Sequence, residues 1–556
     1  MKRRLALIVT TYTLIPSLFL SCFLNNKDSE KERDNLLLLG LIVLSQSGCP
    51  VGNGGFWSVD FTTGEDICVR VEQKAKGSRI RIWEEQGLNS VRQSNSIQDP
   101  NYSQLLNELE TNGIPKLYPA IGQPSDVNQD GVVDIVVLNL SRFFGGGAFV
   151  AGYFSPLDLF RAEGGLNSNQ REVVFVDGVA LADITARSLK RGKPNDTLSV
   201  IAHEIQHLVR FPYEIGGRDR TQPFRLPRTI DELNRILDTD SLWINEGTSE
   251  LASDIAGYGP QESRLACLRN DPGYGCSQGI QGKSLFQFSN RIVDYSMSYA
   301  WISYLYHNAG SNIDERNAFL QRSITSTSTS TRGRDISSLM NTYRNSAKFL
   351  ANNSSINDIF YNLTENDTSK IFQRIQVGFL GNFFQYPNDT NTSARFGIGT
   401  AAVNISTAGG GNNLLGILPL PDSIKSLINQ PSIIPMITNN PTLFELEPGQ
   451  IYRVSGALPA FAESNDRVGA VVRGTASTEY SVFNADMKEV DGFAVAKQNV
   501  NSLTTMNIKS YRQSIGLIKK PKLTIPDIQK RAGISAQDYL HRRLAWKLLE
   551  NELVGD

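Results

Sequence analysis

The stretch TLSVIAHEIQHLVRF, Thr197 to Phe211, decides how the rest of the chain is read. It carries two of only four histidines in 556 residues, set four apart with a glutamate after the first. Residues i and i+4 share one face of a helix, so His203 and His207 can both aim at a single metal ion. Glu204 then projects beside that ion, where it can take a proton from bound water. This is the H-E-x-x-H pattern of zinc-dependent hydrolases; the bland alternative is a surface helix with two ordinary histidines. Leu198, Ile201, Ile205 and Leu208 supply a buried stripe, with the histidines on the adjoining face. Asn195, Asp196 or Thr197 can cap the helix, and Pro212 is expected to limit its other end.

A catalytic zinc normally takes three protein ligands and keeps one open position. The remaining histidines, His307 and His541, are distant in sequence and have no supporting motif. Pro212 and Tyr213 stand where a three-histidine extension would run, which argues against that class. An acidic ligand on a second helix is then required. SLWINEGTSELASD, Ser241 to Asp254, offers Glu246, Glu250 and, less closely, Asp254 on one helical face. The alternative for Glu250 and Asp254 is a solvated acidic face.

His203-Glu204-x-x-His207 followed by Trp243-Ile244-Asn245-Glu246-Gly247 and Glu250 resembles the gluzincin metallopeptidases. Among these it is similar to the hyicolysin-type neutral metallopeptidases. Supporting stretches are an Asp/Asn/Gly turn at Asp126, Gly152-Tyr153-Phe154-Ser155-Pro156, Val174 to Asp177, and Gly257-Tyr258-Gly259. The resemblance implies an α+β, zincin-like catalytic domain: a mixed sheet plus metal-binding helices. It implies zinc held by His203, His207 and Glu246, with Glu204 as general base and Glu250 bonded to a ligand histidine. The activity it implies is a zinc metalloendopeptidase acting on protein or peptide substrates. Such enzymes also place a donor for the oxyanion on a later helix. The aromatic run Asp294 to His307, closed by Gly310, is that helix; the family pattern picks out Tyr295, with Tyr299 and then His307 behind it. Most aromatics on such a helix are core, which is the competing reading.

Two further stretches bear on function. Asp126, Asn128, Asp130 and Asp134 place oxygens at near-regular spacing around Gly131, as calcium loops do. Val137 stands where an EF-hand has its glutamate, so the choice lies between a bound calcium and an Asx turn in a hairpin. Glu172 to Asp177 is a strong short strand. It is either the sheet edge that pairs with extended substrate or an interior strand without substrate contact.

Composition is that of a globular protein, 40% hydrophobic and 20% charged, and the formal net charge is −1. No overall field recruits nucleic acid or anionic lipid. Lys2, Arg3 and Arg4 precede an apolar run to Leu20, an export signal, and Ser21-Cys22 loosely matches a lipobox with Cys22 as the acylated residue. The expected setting is therefore the bacterial cell envelope, lipid-anchored to the outer membrane or cell surface, or else secreted. In an oxidising compartment the local pairs Cys49–Cys68 and Cys267–Cys276 are expected.

The expected organisation is a signal peptide (1–22), a tether (23–50), a metallopeptidase domain (51–385), an accessory β-domain (386–510) and a helical tail (511–556). Ser323 to Thr331, a Ser/Thr run, reads as a flexible surface loop. The functional alternative is a non-catalytic, surface-anchored binding or adhesion protein that retains the zincin fold.

Overall fold

The computed structural model describes residues 48–60, 65–97, 99–140, 151–163, 166–179, 196–216, 219–226, 240–268, 282–288 and 291–347, with single residues and short strands elsewhere. The signal segment with Cys22, residues 23–47 of the tether, and the helical tail lie outside the described residues. The chain divides into residues 1–50 and 51–556, and the fold described here belongs to the second unit.

Its centre is a six-stranded mixed sheet in the order β1-β2-β3-β4-β6-β5. The strands are β1 (Gly55–Asp60), β2 (Glu65–Lys76), β3 (Ile80–Glu85), β4 (Val133–Leu138), β5 (Gly152–Phe154) and β6 (Val173–Asp177). β3, β4 and β6 run parallel; the pairs β1–β2, β2–β3 and β5–β6 are antiparallel. Alternation sorts the side chains between two cores. Val133, Ile135, Val137, Val174 and Val176 enter the main core with the helices, whereas Val136, Leu138, Val173 and Phe175 join Phe56 and Trp83 on the opposite face. Both faces of β4 and β6 are covered, which explains their continuous apolar runs.

Helices pack on the first face: α1 (Leu88–Ser94), α2 (Tyr102–Glu108), α3 (Ile114–Ile121), α4 (Asp196–Glu214), α5 (Leu242–Ala256), α6 (Glu262–Leu268), α7 (Ile292–Ala309), α8 (Ile313–Thr325) and α9 (Ile336–Arg344). In α4 the expected stripe is inside: Leu198, Ile201, Ile205 and Leu208 are all buried. Helix α4 runs through Pro212 to Glu214, past the expected stop. A proline in the last turn sacrifices one backbone bond only, and the buried Phe211 beside it keeps that turn packed. Helix α5 ends at Gly257, whose φ of 92° is the left-handed C-cap conformation that glycine adopts without strain.

Of the two roles open for β6, the fold gives the interior one: β6 is flanked by β4 and β5, so the sheet edge on this side is the three-residue β5. Gly152 lets β5 approach α4: a Cβ there would meet Val200 Cγ1 at 2.6 Å and Phe175 O at 2.8 Å. The Ser/Thr run begins as the last turn of α8, with Ser323 and Ile324 buried. The turn that follows delivers a buried Arg332 to the back of the metal helix. Cys267 is disulfide-bonded to Cys276, and Cys49 and Cys68 are also disulfide-bonded.

Beyond α9, short strands include a four-stranded sheet built from Val468–Val472, Glu479–Asn484, Ile451–Ser455 and Met436–Ile437. Gly282 N–H donates to Ile451 O (2.8 Å), Ile451 N–H to Lys283 O (3.3 Å) and Leu285 N–H to Gly449 O (3.2 Å). Ile451 and Phe483 are buried in the same core as the helices. Among the described residues no helix is long and apolar enough to cross a membrane. The mixed sheet with packed helices is compatible with a zincin-like domain.

Candidate metal centre

Helix α4 presents His203 and His207 on one face, with ring centroids 4.8 Å apart and both residues about 95% buried. Helix α5 packs across α4 and brings up Glu246, 1% exposed. Glu246 Oε2 lies 3.1 Å from His203 Nε2 and 3.6 Å from His207 Nε2. Tetrahedral zinc at ~2.0–2.1 Å from each ligand places ligand atoms about 3.3 Å apart; Glu246 Oε2 stands at about that spacing from each histidine, and all three donors lie within 4.8 Å of one another. Among the described residues this is the one group of three or more His, Cys, Asp or Glu that could hold a metal ion.

The electrostatics point the same way. Burial pushes Glu246 up, but His207 and His203 outweigh it and hold the carboxyl down at about 2. Burial pulls His203 down, but Glu246, Glu250 and Glu204 together lift it to about 9. Glu204 is driven upward, first by burial and also by Glu246, against the pull of both histidines. Its Oε2 is buried without a hydrogen-bond partner. Three buried carboxyls around two imidazoles form a cradle that favours a cation. The backbone N–H of Phe154 bonds Glu204, so the sheet edge β5 borders the same point.

The surrounding shell contains residues that spacing did not reveal. His207 Nδ1–H donates to Asn245 Oδ1 (3.2 Å), which leaves Nε2 with its lone pair toward Glu246. Asn245 was visible in the N-E-G triplet, but no pattern pointed to its partner. Glu250 Oε1 stands 3.5 Å from His203 Nδ1 and accepts from Arg264 Nε at 3.0 Å. Gln206 ties the two metal helices, donating to Thr248 Oγ1 (3.0 Å) and accepting from the Ser249 hydroxyl. One turn past His207, Arg210 reaches Asp240, which also receives Arg332.

The three candidates on α7 separate clearly. Tyr295 is buried, and its phenol is raised well above its usual range by burial, then by Glu246, with Glu250 and Glu204 contributing. It therefore lies within electrostatic reach of the cradle. Tyr299 donates instead to Asp254 Oδ2 at 3.0 Å. His307 sits against Arg316, 3.2 Å away, and burial and that guanidinium pull it down to about 3. Asp254 thus belongs to Tyr299, away from the histidines.

The calcium expectation finds no support. Asp134 is fully buried on β4 and takes Arg81 Nε, Trp83 Nε1 and Arg171. Asp130 Oδ2 accepts from Arg81 at 2.9 Å and pairs with Arg171 at 3.4 Å. Asp126 Oδ1 and Asn128 Oδ1 accept the N–H groups of Gly131 and Asp130. Arg81 and Arg171 already pair with Asp130 and Asp134, and the bonds of Asp126 and Asn128 are those of an Asx turn, which leads into a parallel strand and not a hairpin.

Among curated proteins, the chain is similar to the neutral metalloprotease ShpI of Staphylococcus hyicus, 24% identical over 254 residues. The aligned part is 45% of this chain and 50% of that protein, so the chain spans about half the length of the curated relative it matches. No family model matches the chain. The relationship supports a metalloprotease. The two-histidine, one-glutamate cluster fits such a protein.

Proposed function

We propose that the chain is a zinc-dependent endopeptidase that works outside the cytoplasm. The observation that carries this reading is the buried His203–His207–Glu246 cluster with the unpartnered Glu204 Oε2 beside it. Zinc bound by these three residues would supply Lewis acidity and a water acidified toward neutral pH. Glu204, held by the Phe154 N–H, takes the proton from the attacking water and passes it to the leaving amine. The Tyr295 hydroxyl donates to the developing oxyanion. Asn245 and Glu250 hold the two imidazoles in the orientation that directs Nε2 inward.

Among the described residues β5 has one hydrogen-bonded neighbour, β6, so its other edge offers backbone groups to an extended peptide. A peptide added there would pass Glu204 at Phe154. Endopeptidase, rather than exopeptidase, follows from the family resemblance. The export setting is supported by the basic-then-apolar N-terminus and by disulfide-bonded cysteines, and lipid attachment at Cys22 extends that reading.

The test uses purified wild type and Glu204→Ala, each assayed for zinc content and for casein cleavage with and without a chelator. Zinc in both, with chelator-sensitive cleavage by wild type alone, is the expected result. Zinc in both without cleavage would favour the binding or adhesion alternative.

A further inference from the structure

The short helix α6, which carries no motif, supplies a residue that touches both halves of the proposed apparatus. Arg264 is 6% exposed. Its Nε donates to Glu250 Oε1 at 3.0 Å, and that same oxygen is 3.5 Å from His203 Nδ1. Its guanidinium carbon lies 4.7 Å from the centre of the Tyr295 ring. Phe288 closes another side of that ring edge-on, with centroids 4.9 Å apart. Three residues beyond Arg264, Cys267 is bonded to Cys276, which fastens the helix that delivers the arginine.

We propose that Arg264 is a positioning residue that fixes Glu250, and through it His203, while orienting Tyr295. The proposal rests on the zinc-peptidase reading above. Glu250 is fully buried near Glu246 and Glu204, and its Oε2 has no hydrogen-bond partner. A buried carboxylate needs fixed donors to hold its orientation, and Arg264 Nε supplies one to the same Oε1 that faces His203. A guanidinium is flat, so the group that grips Glu250 with its edge can lie face-on to the Tyr295 ring. A lysine could replace the charge but not the face.

The experiment compares wild type, Arg264→Met, Arg264→Lys, Glu250→Gln and the Arg264→Met/Glu250→Gln double variant. Zinc affinity is read by chelator competition, and kcat and KM are read on a quenched peptide at saturating zinc. Arg264→Met is expected to weaken zinc binding roughly tenfold, the lower end for loss of a residue behind a metal ligand. It should also lower kcat about tenfold or more with KM within about twofold, because Tyr295 acts on the transition state. Arg264→Lys should restore zinc affinity but not kcat. In the Glu250→Gln background, Arg264→Met should cause no further loss of zinc affinity.

Wild-type zinc affinity and kcat in Arg264→Met would overturn the proposal, as would simple additivity with Glu250→Gln. If Arg264→Met does not fold, Arg264→Lys decides: unchanged kcat overturns the role at Tyr295. A zinc-loaded, active wild type with an indifferent Arg264 removes this proposal alone. A wild type that binds no zinc removes the underlying reading as well.

Discussion

Asp240→Asn isolates the network behind the metal helix. Asp240 is buried and accepts from Arg210 Nε (3.1 Å) and Nη2 (2.7 Å) and from Arg332 Nε (3.2 Å) and Nη2 (3.0 Å). Both arginines are almost wholly enclosed. Asparagine keeps the shape but leaves two buried guanidiniums short of a countercharge, a loss of about 3–5 kcal/mol. Glu214 adds a pH signature. It lies 3.1 Å from Arg210, and burial first, then Asp240, push its carboxyl up to about 8. A raised folded-state pKa gives stability that is present below about 4.5 and lost as pH rises through about 8. With Asp240 neutral, Glu214 can ionise against Arg210 and replace part of the missing charge. The destabilisation should therefore be largest near pH 5 and shrink toward pH 8. Urea unfolding of wild type and variant across that window reads it directly. A loss under ~1 kcal/mol, or one that grows with pH, would refute the reasoning.

Other perturbations separate residues the sequence could not. Tyr295→Phe should lower kcat by roughly 10²–10³, whereas Tyr299→Phe, which loses a bond to Asp254, should leave kcat within about threefold. Steady-state kinetics on one peptide compares the two. Asn245→Ala should weaken zinc binding about 10–100-fold by releasing His207 Nδ1, read by chelator competition. His307, held neutral with a folded pKa of about 3, contributes stability above its usual 6.5 that is lost as pH falls toward 3. His307→Gln should flatten the acid limb of thermal stability in that window.

The part of the site that is local in sequence was legible. His203, Glu204 and His207 lie within one and a half helical turns, so spacing alone aligns them. Glu246 needed the family resemblance, because no periodicity links α5 to α4. Asn245, Arg264 and Asp240 stayed hidden for a different reason: each acts across a contact between elements far apart in the chain. The Asp126–Asp134 turn shows the same limit. Its spacing suits calcium and an Asx turn equally, and nothing in that spacing announces the parallel pairing of β3 with β4 that sets Arg81 opposite Asp134. The edge itself was not legible because β5 is only three residues long, while the apolar β6 gave the stronger strand signal and left its place in the sheet open. A long apolar run marks an interior strand of a parallel sheet, not its edge.

The central claim is that His203, His207 and Glu246 hold one zinc ion. A crystal of the zinc-loaded protein, measured on both sides of the zinc absorption edge, tests it most directly. The expected result is a single strong anomalous peak about 2 Å from His203 Nε2, His207 Nε2 and a Glu246 oxygen, with Glu204 alongside. A peak elsewhere, or none at this cluster in zinc-saturated protein, would contradict it.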